Sequence, residues 1–223
     1  MIKALIFDMD GTIVDNMHVH TAVWLEMLVE YGVEMNPLQF QAATAGNTNA
    51  QLLRSLINPE MSDAEVEAIA LKKENLYREQ FRPFLRPLAG LESLLRQAQQ
   101  ADVALAVATA ANRPNIEYVL DGLNLRHYFA TVVGAEDVAR GKPEPDLFLL
   151  VAKRLNLPPE ACLVFEDSLA GLEAAHRAGM QAVAVTTSHT PDEMLHLPCV
   201  RQAIADFTQF RLADLVPNTR LVE

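Results

Sequence analysis

The chain has 223 residues, 50% of them hydrophobic and 21% charged, a composition that supports a sizeable buried core and excludes a disordered or low-complexity protein. Its formal net charge is −11 and it carries no basic stripe, which argues against a nucleic-acid partner. An acidic surface still leaves room for a small anionic substrate, because a bound cation can reverse the potential inside a cleft.

The first element is a strand through Leu5-Ile6-Phe7, a continuous apolar run of the kind buried on both faces of a parallel sheet, with Gly11 supplying the reversal after it. It follows Met1 too closely for a signal peptide, and no apolar run approaches the ~20 residues that span a bilayer, so a cytoplasmic location without a membrane partner is expected. From His18 to Tyr31 the residues Val19, Val23, Trp24, Met27, Leu28 and Tyr31 recur at helical spacing, and Gly32 is a natural stop. Three further helical stretches follow. Pro37 to Ala43 is short, Thr48 with Gln51 resembles a capping box for Thr48 to Ile57, and Ser62 with Glu65 does the same for a helix running towards Gln80. A helical block of ~65 residues is too long for an ordinary βα connection, so it reads as an inserted small domain, with the proline-rich stretch Arg82 to Gly90 as the return linker.

Regular alternation then resumes. Helices are expected over Leu91–Gln100, Pro114–Leu120, Pro145–Leu155 and Leu169–Ala178, the last ended by Gly179; strands are expected over Val103–Ala108, Ala130–Val133, Cys162–Phe165 and Ala182–Val185. Val200–Ala205 reads as an edge strand and Phe207–Leu212 as a last helix. Such alternation predicts an α/β fold with a doubly wound parallel sheet. Of the two cysteines, Cys162 lies in an apolar strand and reads as inert core, Cys199 lies in an irregular stretch, and their pairing is left open.

The chemistry collects where strands end. Asp8 and Asp10 stand at the carboxyl end of the first strand, where open α/β sheets bind ligands; two carboxylates so close repel unless a cation or a shared proton separates them, which suggests a hard metal such as Mg²⁺, with a plain Asp-Gly turn as the alternative. After the second core strand come Thr109, Ala110 and Asn112, a hydroxyl and free backbone N–H groups at a helix start that suit a phosphate, with a plain N-cap as the alternative. Lys142 is held in Gly141-Lys142-Pro143-Glu144-Pro145-Asp146, stiffened by two prolines, where a rigidly held ammonium can balance a nucleophile and a phosphoryl group, with an exposed loop lysine as the alternative. Phe165 runs into Glu166-Asp167-Ser168, two more carboxylates able to complete an oxygen-ligand metal site.

Taken together, Asp8-Met9-Asp10-Gly11-Thr12, Thr109, Lys142 in Gly-Lys-Pro-Glu-Pro-Asp, and Phe165-Glu166-Asp167-Ser168 with Gly171 resemble the four motifs of the haloacid dehalogenase superfamily, and the resemblance covers essentially the whole chain. It is similar to the phosphatase and beta-phosphoglucomutase branch, which has a Rossmann-like core and a helical cap inserted after the first motif. That similarity implies a core of residues 1–15 and 85–223 and a cap of residues 16–84. It also implies Asp8 as the nucleophile forming an aspartyl-phosphate, Asp10 as general acid and then base, and Lys142 as the balancing cation. Mg²⁺ would be held by Asp8, the backbone carbonyl of Asp10 and Asp167, with Glu166 orienting a bound water or Lys142; Thr109 and the Ala110 N–H would grip the phosphoryl oxygens.

In the implied cap, His20 corresponds to a histidine that couples the mutases' acid to cap closure, and Asn47 and Asn49 lie in the loop corresponding to the substrate loop. The mutases carry an arginine where this chain has Asn49, and a neutral amide cannot hold a second phosphate as a guanidinium does. Arg54, Lys72, Lys73 and Arg78 are the cap cations able to substitute for that arginine, but their usual role is a solvated face. The expected activity is therefore hydrolysis of a small phosphate monoester, a sugar or polyol phosphate, by a monomer or weak dimer. A beta-phosphoglucomutase-like isomerase is the alternative, followed by an inorganic pyrophosphatase or a non-catalytic binding protein on the same fold.

Overall fold

The computed structural model describes residues 1–44 and 49–215. The chain divides into two units, Asn16–Phe84 and the combination of Met1–Asp15 with Leu85–Glu223.

The first of these is helical. Helix α1 (Met17–Glu30) buries Val19, Val23, Trp24, Met27 and Leu28, one stripe at helical spacing, and ends before Gly32, whose φ of +74° a side chain would resist. Helices α2 (Pro37–Thr44) and α3 (Asn49–Leu56) are short. Helix α4 (Asp63–Phe81) begins with the predicted capping box: Ser62 Oγ accepts from the Glu65 N–H, and Glu65 accepts in turn from the Ser62 N–H at 2.8 Å. Helix α1 packs on α4 and α2, and α3 on α4. The capping box expected at Thr48 lies outside the described residues.

The other unit is an all-parallel sheet of six strands: β1 (Ala4–Phe7), β2 (Ala104–Ala108), β3 (Thr131–Val133), β4 (Cys162–Glu166), β5 (Gln181–Val185) and β6 (Val200–Ile204), in the order β3-β2-β1-β4-β5-β6. Helices α5 (Leu91–Gln100), α6 (Arg113–Gly122), α7 (Asp146–Leu155) and α8 (Leu169–Arg177) and the single turn α9 (Pro191–Met194) connect the strands. Side-chain alternation divides each strand between two layers. Ala4 and Ile6 of β1, with Cys162 and Val164 of β4, pack with Leu147, Phe148 and Leu172 from α7 and α8. Phe7 and Phe165, paired in register, point the other way, stack 4.8 Å apart and meet Phe207.

Three local differences from the sequence reading have physical causes. Pro145 sits at the N-cap, one position before α7, and not inside its first turn. Asn112 starts α6 earlier, because its Oδ1 accepts from the Asn115 N–H at 3.0 Å. The last helix is replaced by two single 3₁₀ turns, Phe207–Gln209 and Leu212–Asp214. Asp206 there takes the Thr208 N–H, and Gln209 takes the Ala205 N–H, local bonds that compete with a helical ladder. Both cysteines are free and buried, and no helix among the described residues is long and apolar enough to cross a membrane.

Candidate active site

The strand order reverses on either side of β1, so the crevice between the carboxyl ends of β1 and β4 is the place where a doubly wound sheet binds ligands. Asp8 follows β1 directly, and its N–H extends the ladder by donating to the Phe165 carbonyl at 2.9 Å. Counting by twos, Asp8 continues the Ala4-Ile6 side of β1 and Glu166 the Cys162-Val164 side of β4, which is the side facing α7 and α8. Lys142 arrives there from the loop before α7. Its Nζ lies 2.5 Å from Asp8 Oδ1, 2.7 Å from Glu166 Oε2 and 5.3 Å from the centre of the Phe148 ring. Asp167 completes the group: carboxylate oxygens of Asp8, Glu166 and Asp167, all buried, lie within 4.8 Å of one another.

Two glycines admit this crowding. At Gly11 (φ +79°) a Cβ would lie 2.0 Å from Asp167 Oδ2, and at Gly171 a Cβ would lie 2.0 Å from Cδ of Glu166. Neither carboxylate could hold its position against a larger residue. Ser168 ties the second one down, donating from Oγ to Glu166 Oε1 at 2.7 Å while accepting from the Gly171 N–H at the start of α8.

The charges do not balance internally. Three carboxylates face one ammonium, a formal surplus of two negative charges. Burial, with repulsion from Glu166, pushes the Asp8 carboxyl well above its usual range against the pull of Lys142. Burial and Glu166 likewise push Asp167 up to about 7. Burial alone would lower Lys142, but the charges of Asp8 and Glu166 outweigh it, and the ammonium is held charged. An all-oxygen donor set with two charges to spare fits a hard divalent cation such as Mg²⁺, which neutralises the surplus without a proton.

The remaining predicted residues fall into three groups. Asp10 is half-buried in the tight turn after β1, where the N–H groups of Ile13 and Val14 return to the Met9 carbonyl; its side chain is not among the three clustered carboxylates. Thr109, buried at the end of β2, accepts from the Ala111 N–H at 3.1 Å, which leaves its hydroxyl proton for an oxygen outside the loop; Ala110 is exposed. Asn112 spends its carbonyl oxygen on the α6 cap.

His20 and Asn49 belong to the helical unit, Asn49 exposed at the first turn of α3, while Asn47 lies outside the described residues. His20 stacks on Tyr77 with ring centres 3.7 Å apart, and its Nδ1 lies 2.7 Å from Lys73 Nζ. Lys73 is therefore not on a solvated face. It is 4% exposed, pairs with Glu74 at 2.9 Å, and lies 5.7 Å from the Trp24 and Tyr77 ring centres. A buried ammonium needs such partners, and two of them, His20 and Trp24, come from α1, which spacing along α4 could not reveal.

Sequence reading also passed over the end of β5. Four consecutive polar residues there each reach another element: Thr186 Oγ1 to the Ile204 carbonyl at 3.3 Å, Thr187 Oγ1 to the Gly11 carbonyl at 2.5 Å, Ser188 Oγ to Asp167 Oδ2, and His189 Nδ1 to the Asp167 carbonyl at 3.2 Å. The signal was available, because polar residues following an apolar strand of a parallel sheet mark a ligand-facing end.

Known proteins resemble this chain over most of its length. The sequence profile of the haloacid dehalogenase-like hydrolases matches residues 2–179. The fructose-1-phosphate phosphatase YqaB of Escherichia coli (strain K12) is 36% identical over 181 residues, 81% of this chain and 95% of that protein. Among solved structures, a family IA, variant 3 HAD hydrolase from Entamoeba histolytica HM-1:IMSS superposes with a TM-score of 0.89 at 26% identity, covering 96% of this chain and 98% of its own. The beta-phosphoglucomutase of Clostridium difficile superposes with a TM-score of 0.83 at 26% identity, covering 96% of each chain.

Proposed function

The chain belongs to the haloacid dehalogenase-like hydrolase family, and from that membership we propose that it is a Mg²⁺-dependent phosphatase that hydrolyses a small sugar or polyol phosphate through an aspartyl-phosphate on Asp8. The observation that carries the reading is Lys142 bridging Asp8 and Glu166, with Asp167 beside them, at the point where the strand order reverses. A binding module gains nothing from three buried carboxylates around one lysine, whereas phosphoryl transfer needs a nucleophile kept among cations.

In this reading Asp8 Oδ attacks phosphorus and the P–O bond to the sugar breaks, Asp10 giving its proton to the leaving oxygen. Water then attacks the phosphorus of the aspartyl-phosphate, Asp10 takes the water's proton, and the Asp8–phosphorus bond breaks to release phosphate. Thr109 and the Ala110 N–H hold the phosphoryl oxygens through both steps, and Lys142 offsets their charge while orienting Asp8. Asp8, Asp167 and the Asp10 carbonyl would hold Mg²⁺, with Glu166 held against Lys142; the ion supplies charge neutralisation at the phosphoryl oxygens. Residues 1–15 and 85–223 carry the chemistry, and residues 16–84 form the cap, with His20, Asn47 and Asn49 as its substrate-side residues.

The sugar-phosphate class is supported by the fructose-1-phosphate phosphatase likeness. The structural likeness to a beta-phosphoglucomutase keeps isomerisation as the competing outcome, against which stands neutral Asn49. A phosphate-release screen over sugar, polyol and nucleotide phosphates and pyrophosphate, with Mg²⁺ and with or without a trace of sugar bisphosphate, decides between them. Release from a few sugar or polyol phosphates supports the proposal. Isomerisation without free phosphate, appearing only with bisphosphate, replaces it with the mutase.

A further inference from the structure

We infer that Ser188, in the loop after β5, is a positioning residue for the metal-binding carboxylate Asp167, fixing which of its oxygens faces the cation. The inference rests on the Mg²⁺ reading of the site and adds to it a residue from a fifth strand end. Asp167 leaves β4 beyond its last paired residue, so the strand ladder no longer fixes it, and its side chain is set by what surrounds it. On one side lies Gly11, so close that even a methyl group would overlap Oδ2. On the other, the Ser188 hydroxyl donates to that same Oδ2. The backbone of Asp167 is held from the same loop, where the His189 ring meets its carbonyl at 3.2 Å. Thr187 in turn binds the loop to the Gly11 carbonyl at 2.5 Å.

The chemical consequence concerns lone pairs. A carboxylate has two oxygens and about four lone-pair directions, so its orientation decides which of them point into the cluster. With Oδ2 held by a hydroxyl and crowded by Gly11, rotation about the Cβ–Cγ bond is restricted, and Oδ1, which carries no such bond, is the oxygen assigned to the cation. Without the hydroxyl the carboxylate gains freedom to turn, and the ion loses a ligand held in advance of binding. The role proposed for Ser188 is therefore exerted through Asp167, whose Oδ2 its hydroxyl holds.

The test is Mg²⁺ titration by calorimetry of the full chain, stripped with EDTA and without substrate. Ser188→Ala is expected to weaken Mg²⁺ binding by about tenfold or more, the range found when partners of metal ligands are removed. Ser188→Thr, which keeps the hydroxyl, is expected to restore affinity to within about threefold of the wild type on the same scale. A merely structural serine would lower the melting temperature in EDTA and leave the Mg²⁺ affinity alone. Should the alanine variant not fold, the near-isosteric Ser188→Cys, a weak donor, provides the same contrast. Equal Mg²⁺ affinity in the wild type and the variant lacking the hydroxyl overturns the inference, as does a Thr variant as weak as the Ala variant. A wild type that takes up no Mg²⁺ overturns the metal-dependent reading itself, an outcome distinct from the other two.

Discussion

Lys142 Nζ and Asp8 Oδ1 lie 2.5 Å apart although 134 residues separate them in the chain, and both are buried. Removing this ammonium leaves Asp8 and Glu166 facing each other without a cation. Lys142→Met is expected to lower phosphate release by about 10²-fold or more, the scale of losing one preorganised charge partner. It should also destabilise the metal-free protein by a few kcal/mol, since breaking a buried pair strands its partner. Lys142→Arg should not restore activity, because a planar fork cannot occupy the place of a point charge set between two carboxylates. Steady-state kinetics and urea unfolding of the two variants check both statements.

The pH behaviour of the metal-free protein follows from Asp167. Its carboxyl is raised by burial and by Glu166 to about 7, above its unfolded value, and Asp8 moves in the same direction. Between the unfolded and folded values the native state binds more protons than the unfolded chain, so stability falls as pH rises through that window. Melting temperature in EDTA is expected to drop from pH 5 to pH 8. Mg²⁺ should raise it more at pH 8 than at pH 5, because binding displaces those protons. Thermal melts at four pH values, with and without Mg²⁺, measure this; a Mg²⁺ effect that grows towards acid pH would contradict it.

Gly11 and Gly179 share a left-handed backbone, with φ of +79° and +74°, but not their surroundings. A Cβ at Gly11 overlaps Asp167, whereas at Gly179 nothing lies within 4 Å. Gly179→Ala is expected to cost roughly 1–2 kcal/mol of stability from conformation alone and to leave kinetics unchanged. Gly11→Ala should carry that cost and also abolish Mg²⁺ binding, read by calorimetry beside unfolding curves.

Asp10 is half-buried in its own turn and is not one of the three clustered carboxylates, although its charge adds to the repulsion at Asp8. If its role is proton transfer, Asp10→Asn should lower kcat by about 10²–10⁴-fold. Mg²⁺ affinity should stay near that of the wild type, since the ion would use its backbone carbonyl. A loss of Mg²⁺ affinity in this variant would assign the side chain to the metal instead.

The parallel sheet and the core of the site were legible because each is written locally. Short apolar runs ending in Asp8, Thr109 and Glu166 mark strand ends, and parallel topology brings such ends together without further information. Two features were not legible for a common reason. Lys73 looks like any helical lysine until α1 supplies His20 and Trp24 around it. Ser188 looks like a loop serine until β5 is seen beside β4 and its hydroxyl meets Asp167. In both, the deciding partner is distant in sequence. The terminal helix expected at Phe207 failed differently, because Asp206 and Gln209 offer local side-chain bonds that outcompete a helix too short to repay its nucleation.

The central claim is that Asp8 carries the phosphoryl group. It is tested most directly by rapid acid quench of the enzyme turning over its best ³²P-labelled sugar phosphate with Mg²⁺, followed by peptide mapping. The account requires a hydroxylamine-sensitive label on Asp8 that appears before free phosphate, and neither label nor turnover in Asp8→Asn. Phosphate release by Asp8→Asn at the wild-type rate, or full turnover with the label on another residue, would contradict it.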